Sequence, residues 1–137
     1  MKKIESVLRF ENYIVKSVNF RINDLNNDNK NSWNLDFDVN SNIKYNEERN
    51  KMQVELSVEV FKDVDDAPFY IDATIVGNFE MLGKEDISKF KANAIAIMYP
   101  YLRSIISTYT AASNVNSLIL PAININAMLE DKQKQEN

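Results

Sequence analysis

The fold of this chain is decided by residues Asn93 to Leu129, which read NAIAIMYPYLRSIISTYTAASNVNSLILPAININAML. From Asn93 to Thr110 the stretch is typical of a helix, and it has apolar side chains on nearly every side: Ile95, Ile97, Met98, Tyr99, Tyr101, Leu102, Ile105, Ile106 and Tyr109. A helix that is apolar all round must be covered on all sides. Because one sheet covers only one face, the pattern predicts that a second copy of the chain packs on the other.

Pro100 lies within this predicted helix. A proline in a helix interior removes a backbone hydrogen bond and costs about 3 kcal/mol or more. We therefore expect the helix to kink at Pro100 or to begin late, near it. A polar turn is expected after the helix, from Ser113 to Ser117.

A short extended arm is predicted next, because Ile123 and Ile125 alternate with asparagines. Asn126 is the predicted N-cap of a closing helix, since an asparagine side chain accepts a hydrogen bond from the first turn. From Glu130 onward the sequence is EDKQKQEN, which has no apolar residue to anchor it. We expect a polar tail that is flexible toward its end.

Four segments before the helix alternate apolar and polar residues with period 2, which is typical of strands that bury one face. The predicted buried sets are as follows: Ile14, Val18, Phe20 and Ile22, with Lys16 as an exception; Trp33, Leu35, Phe37 and Val39; Met52, Val54, Leu56, Val58 and Val60; Phe69, Ile71, Ala73, Ile75 and Phe79. Short polar connections at 46–50 and 62–68 suit antiparallel hairpins. We predict an α+β fold: a four-stranded antiparallel sheet followed by a long helix and a short C-terminal helix packed on one face.

Composition narrows the function. The 137 residues suit a single domain, 1–137, with 45% apolar content for its core. A net charge of −4 without a Lys/Arg cluster disfavours a nucleic-acid partner. The chain has no cysteine and no histidine, so disulfides, thiol chemistry and the commonest general base are absent, and we predict no enzymatic activity. No apolar run is long enough to span a bilayer, so a cytoplasmic protein without membrane insertion is expected.

Acidic residues are the remaining candidates for site chemistry. Asp36 and Asp38 share one strand face, and paired carboxylates can bind a divalent cation or act as acid and base. Such a face is usually solvated. The Asp63 to Asp66 segment lacks the glycine and glutamate spacing of a calcium loop. Hydroxyl residues such as Ser104 and Ser107 lack a base to activate them. We therefore expect no metal site and no cofactor.

Two motifs resemble the SecB protein-export chaperone family. The helix reads Tyr99-Pro100-Tyr101-Leu102-Arg103 where that family typically reads FPYAR. The segment from Leu118 to Met128 reads LILPAININAM where the family reads close to LxLAPVNFDAL. Tyr13 to Phe20 is similar to the family's first strand, and Leu35 to Asp38 is similar to its second. The order of strands and helices agrees over nearly the whole chain.

The resemblance implies a holdase that binds unfolded or non-native polypeptide clients in an apolar groove, in protein export or translocation. The matching groove positions are Leu35, Phe37 and Ile125, and we place Trp33 at or near the wall. Such a groove suits a chaperone because burial of apolar area yields about 25 cal/mol per Å² without demanding a sequence. The alternative is that these residues form ordinary core. We expect Ile125 to give the cleaner functional effect, because it lies outside the predicted sheet.

The resemblance also implies a homotetramer, assembled as a dimer of dimers with the long helices between the sheets. The predicted interface comprises six residues: Ile97, Tyr101, Leu102, Ile105, Ile106 and Tyr109. In the family the motor ATPase SecA docks on an acidic patch of the outer sheet face. The corresponding residues are Ser17, Arg21, Tyr70 and Asp72, of which only Asp72 is acidic. A positive charge at Arg21 disfavours a basic partner, so the receptor stays open.

Two alternatives remain from the sequence. Some solitary members of the resembled family serve toxin-antitoxin systems, which a neighbouring antitoxin gene would indicate. A hot-dog thioesterase or ligand-binding domain is a different class, but such proteins usually place their long helix before most of the sheet. Turnover of acyl-CoA against suppression of aggregation separates the hot-dog class from a chaperone.

Overall fold

Four strands and two α-helices form the fold in the computed structural model, which describes residues 7–23, 34–113 and 117–136, with side chains to residue 130. The elements are β1 (Leu8–Ile22), β2 (Phe37–Tyr45), β3 (Lys51–Val60), β4 (Phe69–Met81), α1 (Lys91–Ala112) and α2 (Ile125–Glu136), with a short 3₁₀ turn at Ile87–Phe90 before α1. The sheet order is β1-β4-β3-β2 and every neighbouring pair is antiparallel. The predicted fold class is confirmed.

The core lies between one face of the sheet, which we call the inner face, and α1. On β3 and β4 every second side chain is buried, as the alternation predicted. The helix adds Ile95, Met98, Leu102 and Ile106, each fully buried. The opposite, outer face of the sheet carries the polar partners of the alternation. The third and fourth predicted strands therefore have the correct faces.

β1 differs from the prediction in both length and face. It begins at Leu8, and its pairing with β4 shifts between Phe10 and Asn12 and again between Val15 and Ser17. Each irregularity inserts a residue and changes which side chains point inward. Ile14 is consequently 62% exposed on the outer face, and Ile22 at the end of the strand is 47% exposed, so the predicted burial of both was wrong.

The pairing irregularities of β1 also explain its inner-face residues and the exception at Lys16. Tyr13 faces the helix, with its ring 4.5 Å from that of Tyr101. Lys16 lies in the second irregularity and reaches Glu55 of β3 on the outer face, with Nζ and Oε1 3.2 Å apart. The alternation of side chains is therefore interrupted by backbone insertions, which periodicity alone does not reveal.

β2 lies further along the chain than predicted. The pattern placed it around Trp33 to Asn40, but it runs from Phe37 to Tyr45. Leu35 precedes the strand and is 36% exposed. Pairing nevertheless begins one residue before β2, because Asp36 O accepts a hydrogen bond of 2.8 Å from Phe61 N–H. Trp33 lies outside the described residues.

The helix boundaries correct three further predictions. α1 begins at Lys91, well before Pro100, so a late start at the proline does not occur. Asn124, and not Asn126, caps α2, because its Oδ1 accepts from Ala127 N–H at 3.0 Å. Ile125 is the first residue of α2 and not part of an extended arm. The polar segment from Glu130 continues this helix to Glu136, and flexibility at its end stays a prediction.

Gly77 allows α1 to approach the sheet closely. A Cβ atom placed on Gly77 would lie 2.7 Å from the sulfur of Met98, whereas one on Gly83 would meet nothing closer than 3.8 Å. Neither glycine has a positive φ. We expect Gly77→Val to destabilise the protein by about 1–3 kcal/mol through overpacking and Gly83→Val to have a smaller effect. Thermal melting of both variants tests this, and equal melting temperatures would contradict it.

Candidate functional site

The segment 117–124, which joins α1 to α2, is tethered along one flank of α1. We call it the crossover segment. Three α1 side chains, each one turn from the next, donate hydrogen bonds to its carbonyl oxygens: Tyr99 to Pro121 (2.7 Å), Arg103 to Leu120 (2.9 Å) and Ser107 to Leu118 (2.9 Å). Side chains at this spacing share one face of a helix. The segment therefore runs antiparallel to α1.

Burial along the crossover segment is uneven. Leu120 is fully buried, whereas Ile119 is 71% exposed. Leu118 and Ile123 are half-buried and pack against the core. Burial also raises the pKa of Tyr99 above its ordinary value, so its hydroxyl keeps the proton that it donates to Pro121 O. The segment thus combines a fixed side against α1 with an apolar side that is partly open.

The crossover segment lies on the β2 side of the helix. The opposite flank of α1 carries Tyr101, whose ring centroid lies 4.5 Å from that of Tyr13 and 5.8 Å from that of Phe10, both in β1. Because β1 and β2 are at opposite edges of the sheet, the flank that holds the crossover segment faces β3 and β2. The segment and the inner face of β2 are therefore neighbouring walls.

The inner face of β2 is incompletely covered. Its side chains Phe37, Ile43 and Tyr45 are half-buried and pack against the core, whereas the inner side chains of β3 are all buried. We call these three residues, together with Leu35, the β2 surface. Ile43 and Tyr45 were not predicted, because the sequence pattern was read as ending at Asn40. The β2 surface is an apolar strip along an edge strand of the sheet.

Of the three predicted peptide-binding residues that the structure describes, two lie at one end of this strip and the third lies elsewhere. Phe37 begins β2, and Leu35 lies two residues before it. Ile125 is half-buried at the start of α2. α2 borders the start of α1, because Asn126 and Leu129 line a hollow of about 450 Å³ with Ser88 and Ala92.

The start of α1 lies beside the turn between β2 and β3, since Ile87 N–H bonds Arg49 O at 3.0 Å. Ile125 therefore belongs to the Tyr45 end of β2, far from Phe37. The crossover segment connects the Phe37 end of β2 with its Tyr45 end.

The α1 side chains that hold the crossover segment were missed by the sequence analysis. Their spacing of four residues on an otherwise apolar helix could have revealed them: Tyr99, Arg103 and Ser107.

The predicted partner-docking residues on the outer face come together around Asp72. Its two carboxylate oxygens accept hydrogen bonds from Asn19 Nδ2 at 3.0 Å and from Tyr70 Oη at 2.6 Å. The Arg21 guanidinium lies 4.6 Å from the centre of the Tyr70 ring. Burial, together with the hydrogen bond to Asp72, raises the pKa of Tyr70 well above its ordinary value. Both oxygens of Asp72 are thus already engaged within the chain.

Ser17 and the other acidic residues complete the outer face. Ser17 is exposed opposite Thr74. Asp38, Glu59 and Asp72 lie directly opposite one another on three strands, and Lys62 Nζ is 3.8 Å from Glu59. In the described part of the chain, no three His, Cys, Asp or Glu residues are grouped so that they could hold a metal ion. The outer face around Asp72 is therefore polar.

The predicted interface residues on α1 divide into two groups. Leu102 and Ile106 are fully buried within the chain, so they belong to its own core and have no surface for a second copy. Tyr101 and Tyr109 are 39% and 46% exposed, and Ile97 and Ile105 are half-buried. Beside them runs a row of exposed residues whose side chains are small or, for proline, a rigid ring: Ala96, Pro100, Ser104, Thr108 and Ala112. This surface of α1 carries no charge.

These features define a small α+β protein in which a tethered crossover segment borders an open apolar edge strand. Residues 2–136 match the model of the family described as preprotein translocase subunit SecB, and the chain belongs to this family. It is 36% identical to the uncharacterised protein MJ0357 of Methanocaldococcus jannaschii, across 95% of this chain and 88% of that protein. Within the described residues, no helix has the length and apolar character needed to cross a membrane.

Two solved structures share the fold. One is the Mycobacterium tuberculosis Rv1957 SecB-like chaperone in complex with a ChAD peptide from the Rv1956 HigA1 antitoxin, with a TM-score of 0.67 and 12% identity over 85% of this chain and 88% of that chain. The other is a protein of unknown function from Streptococcus agalactiae, with a TM-score of 0.52 and 14% identity over 84% of this chain and 97% of that chain. At these identities the likeness concerns the fold.

Proposed function

We propose that the protein is a cytoplasmic SecB-like holdase that binds unfolded or non-native polypeptides and takes part in protein export. Family membership supports the class. The observation that carries the proposal is the β2 surface, where Phe37, Ile43 and Tyr45 stay half-buried beside the buried inner side chains of β3. Exposed apolar surface is costly unless a partner covers it. An unfolded chain gains about 25 cal/mol per Å² of apolar area buried there.

A second candidate is a chaperone of a toxin-antitoxin system. It is favoured by the structural neighbour whose complex contains an antitoxin peptide. It is also favoured by the outer face, because both oxygens of Asp72 are engaged and Arg21 stands beside it, which weakens the case for docking the SecA motor. An antitoxin encoded beside this protein, and bound by it, would select this second candidate over export.

Suppression of aggregation tests the proposed class. We expect the purified protein to suppress light scattering when urea-denatured maltose-binding protein is diluted into buffer. It should show no turnover of acyl-CoA, which addresses the hot-dog thioesterase alternative. Bovine serum albumin at equal mass is the control for nonspecific protection. Scattering unchanged by the protein would contradict the proposal.

We also propose that the protein is a homotetramer, a dimer of dimers whose α1 helices pack between the sheets. The surface of α1 supports this, because a row of large side chains, Ile97, Tyr101, Ile105 and Tyr109, runs beside the row of small ones from Ala96 to Ala112. A ridge of one helix fits such a groove of another. In a two-fold arrangement each copy supplies both the ridge and the groove.

A further inference from the structure

β2 has a free edge whose main-chain groups have no partner among the described residues. It is one of the two edge strands of the sheet, and it pairs with β3 from Phe37 to Tyr45 without a register shift. It contains no proline. Natural edge strands are usually blunted by bulges, proline or inward-pointing charges, because open edges bind other strands. β2 has none of these on its inner face.

The register shows which residues of β2 present their main chain to this edge. Asn46 N–H bonds Lys51 O at 3.2 Å, and Phe61 N–H bonds Asp36 O at 2.8 Å. In an antiparallel ladder, hydrogen-bonded pairs alternate with non-bonded pairs, so the even-numbered residues of β2 bond to β3. The odd-numbered residues therefore direct their N–H and C=O groups to the free edge: Phe37, Val39, Ser41, Ile43 and Tyr45.

These odd-numbered residues are also the ones whose side chains lie on the inner face. Val39, for example, is buried opposite Val58. The even-numbered residues place polar side chains on the outer face: Asp38, Asn40, Asn42 and Lys44. Three of these five residues, Phe37, Ile43 and Tyr45, thus offer both the apolar side chains of the strip and main-chain groups directed to the free edge, whereas Val39 is buried and Ser41 is polar. A peptide on this edge would meet an apolar surface on one face and a polar surface on the other.

We propose that the client binds as a fifth, antiparallel strand on the free edge of β2, and that the preferred client alternates apolar and polar residues. The proposal rests on the proposed holdase function. Residues directly opposite one another in antiparallel strands point to the same face. Client residues that bond to Phe37, Val39, Ser41, Ile43 and Tyr45 therefore point inward and are the apolar ones. The intervening client residues face solvent beside the polar row of β2.

The crossover segment favours a single extended peptide over a second copy of the sheet as the occupant. It flanks the β2 side of α1 with Ile119 71% exposed, and the main-chain groups of Ile119, Ala122 and Ile123 have no hydrogen-bond partner among the described residues. Main-chain recognition of this kind gives affinity without a defined sequence, which is what a holdase needs.

N-methylated peptides test the alignment. The probe is a fluorescein-labelled 12-residue peptide in which valine or leucine alternates with threonine or lysine. N-methylation of three apolar residues should weaken binding at least about tenfold, because these residues direct their N–H groups to β2. N-methylation of three polar residues should change it by less than about threefold. Fluorescence anisotropy gives the dissociation constants.

The outcomes separate this inference from the proposed function. If the unmethylated peptide and denatured clients both fail to bind, the holdase function itself fails. If the peptide binds and both methylated sets are equally affected, edge pairing is wrong while the holdase function stands. A stronger effect of the polar set would mean a parallel strand and would overturn the antiparallel alignment.

A pair of proline variants tests the same edge by changing the protein instead of the peptide. Ser41 N–H points to the free edge, so Ser41→Pro should fold with a melting temperature within a few degrees of wild type and bind the peptide at least about tenfold more weakly. Asn42 N–H bonds to β3, so Asn42→Pro should lower the melting temperature clearly. If Ser41→Pro changes the mass of the assembly but not peptide affinity, the edge binds a second copy and the proposal is overturned. If Ser41→Pro does not fold, the methylated peptides decide.

Discussion

Ser104→Arg should dissociate the proposed homotetramer while leaving the protomer folded. Ser104 is exposed at the middle of the small-residue row on α1, and it makes no side-chain hydrogen bond within the described residues. An arginine there would be tolerated by a single chain. In a helix-to-helix interface it would bury an unpaired charge, which costs several kcal/mol. We expect the association constant to fall at least about 100-fold.

Light scattering and sedimentation at micromolar concentration measure this effect. Ser104→Ala is the matched control and should retain the wild-type mass, because alanine keeps the row small. Asn42→Arg places the same charge on the outer sheet face and should also retain it. A wild-type protein that is a stable monomer would overturn the tetramer, and an Ser104→Arg variant of unchanged mass would remove this surface of α1 from the interface.

The sequence was most informative where alternation is uninterrupted. On β3 and β4 the buried faces were predicted correctly, because both strands lie inside the sheet and pair without shifts against each other. On β1 the same rule failed at Ile14, since two pairing irregularities invert the faces. Backbone insertions of this kind cannot be recognised from the apolar and polar alternation of the sequence. They depend on the partner strand, which a local pattern does not contain.

From the all-round apolar character of α1, six of its residues were predicted to contact a second copy, and that interface stays a prediction. Leu102 and Ile106 were assigned to a second copy, but they are fully buried against the chain's own sheet. A helical pattern identifies apolar faces, and only the rotation of the helix on the sheet decides which face is covered. That rotation is fixed by contacts such as Gly77 with Met98 and Tyr13 with Tyr101. Neither contact could be derived from periodicity.

The residues of the candidate site were proposed from the family resemblance, and the structure shows where each of them lies and how buried it is. Ile125 was expected to be the cleanest test of client binding because it was placed in an extended arm. It begins α2 and packs against the core, so replacing it also affects stability. Leu35, in contrast, lies before the strand and is 36% exposed. The cleaner test therefore moves to Leu35.

Leu35→Ser should weaken client binding about tenfold or more with little change in melting temperature. Loss of a leucine contact with a bound apolar segment removes about 1.5–3 kcal/mol of transfer free energy, and Leu35 contributes little to the core. Phe37→Ser should lower both the client affinity and the melting temperature, because Phe37 is half-buried and packs on the core. A serine there leaves a cavity and costs the fold about 1–3 kcal/mol. Client affinity is measured by anisotropy and stability by thermal melting.

The two variants together separate a client surface from ordinary core. Ile14→Ser is the matched control, since Ile14 is a large exposed apolar residue on the outer face, at 62% exposure, away from the β2 surface. It should change neither quantity. If Leu35→Ser keeps full client affinity in a folded protein, Leu35 is not part of the site. If Phe37→Ser alone lowers affinity, and only in proportion to its melting temperature, Phe37 serves the core and client binding must be sought along Ile43, Tyr45 and the crossover segment.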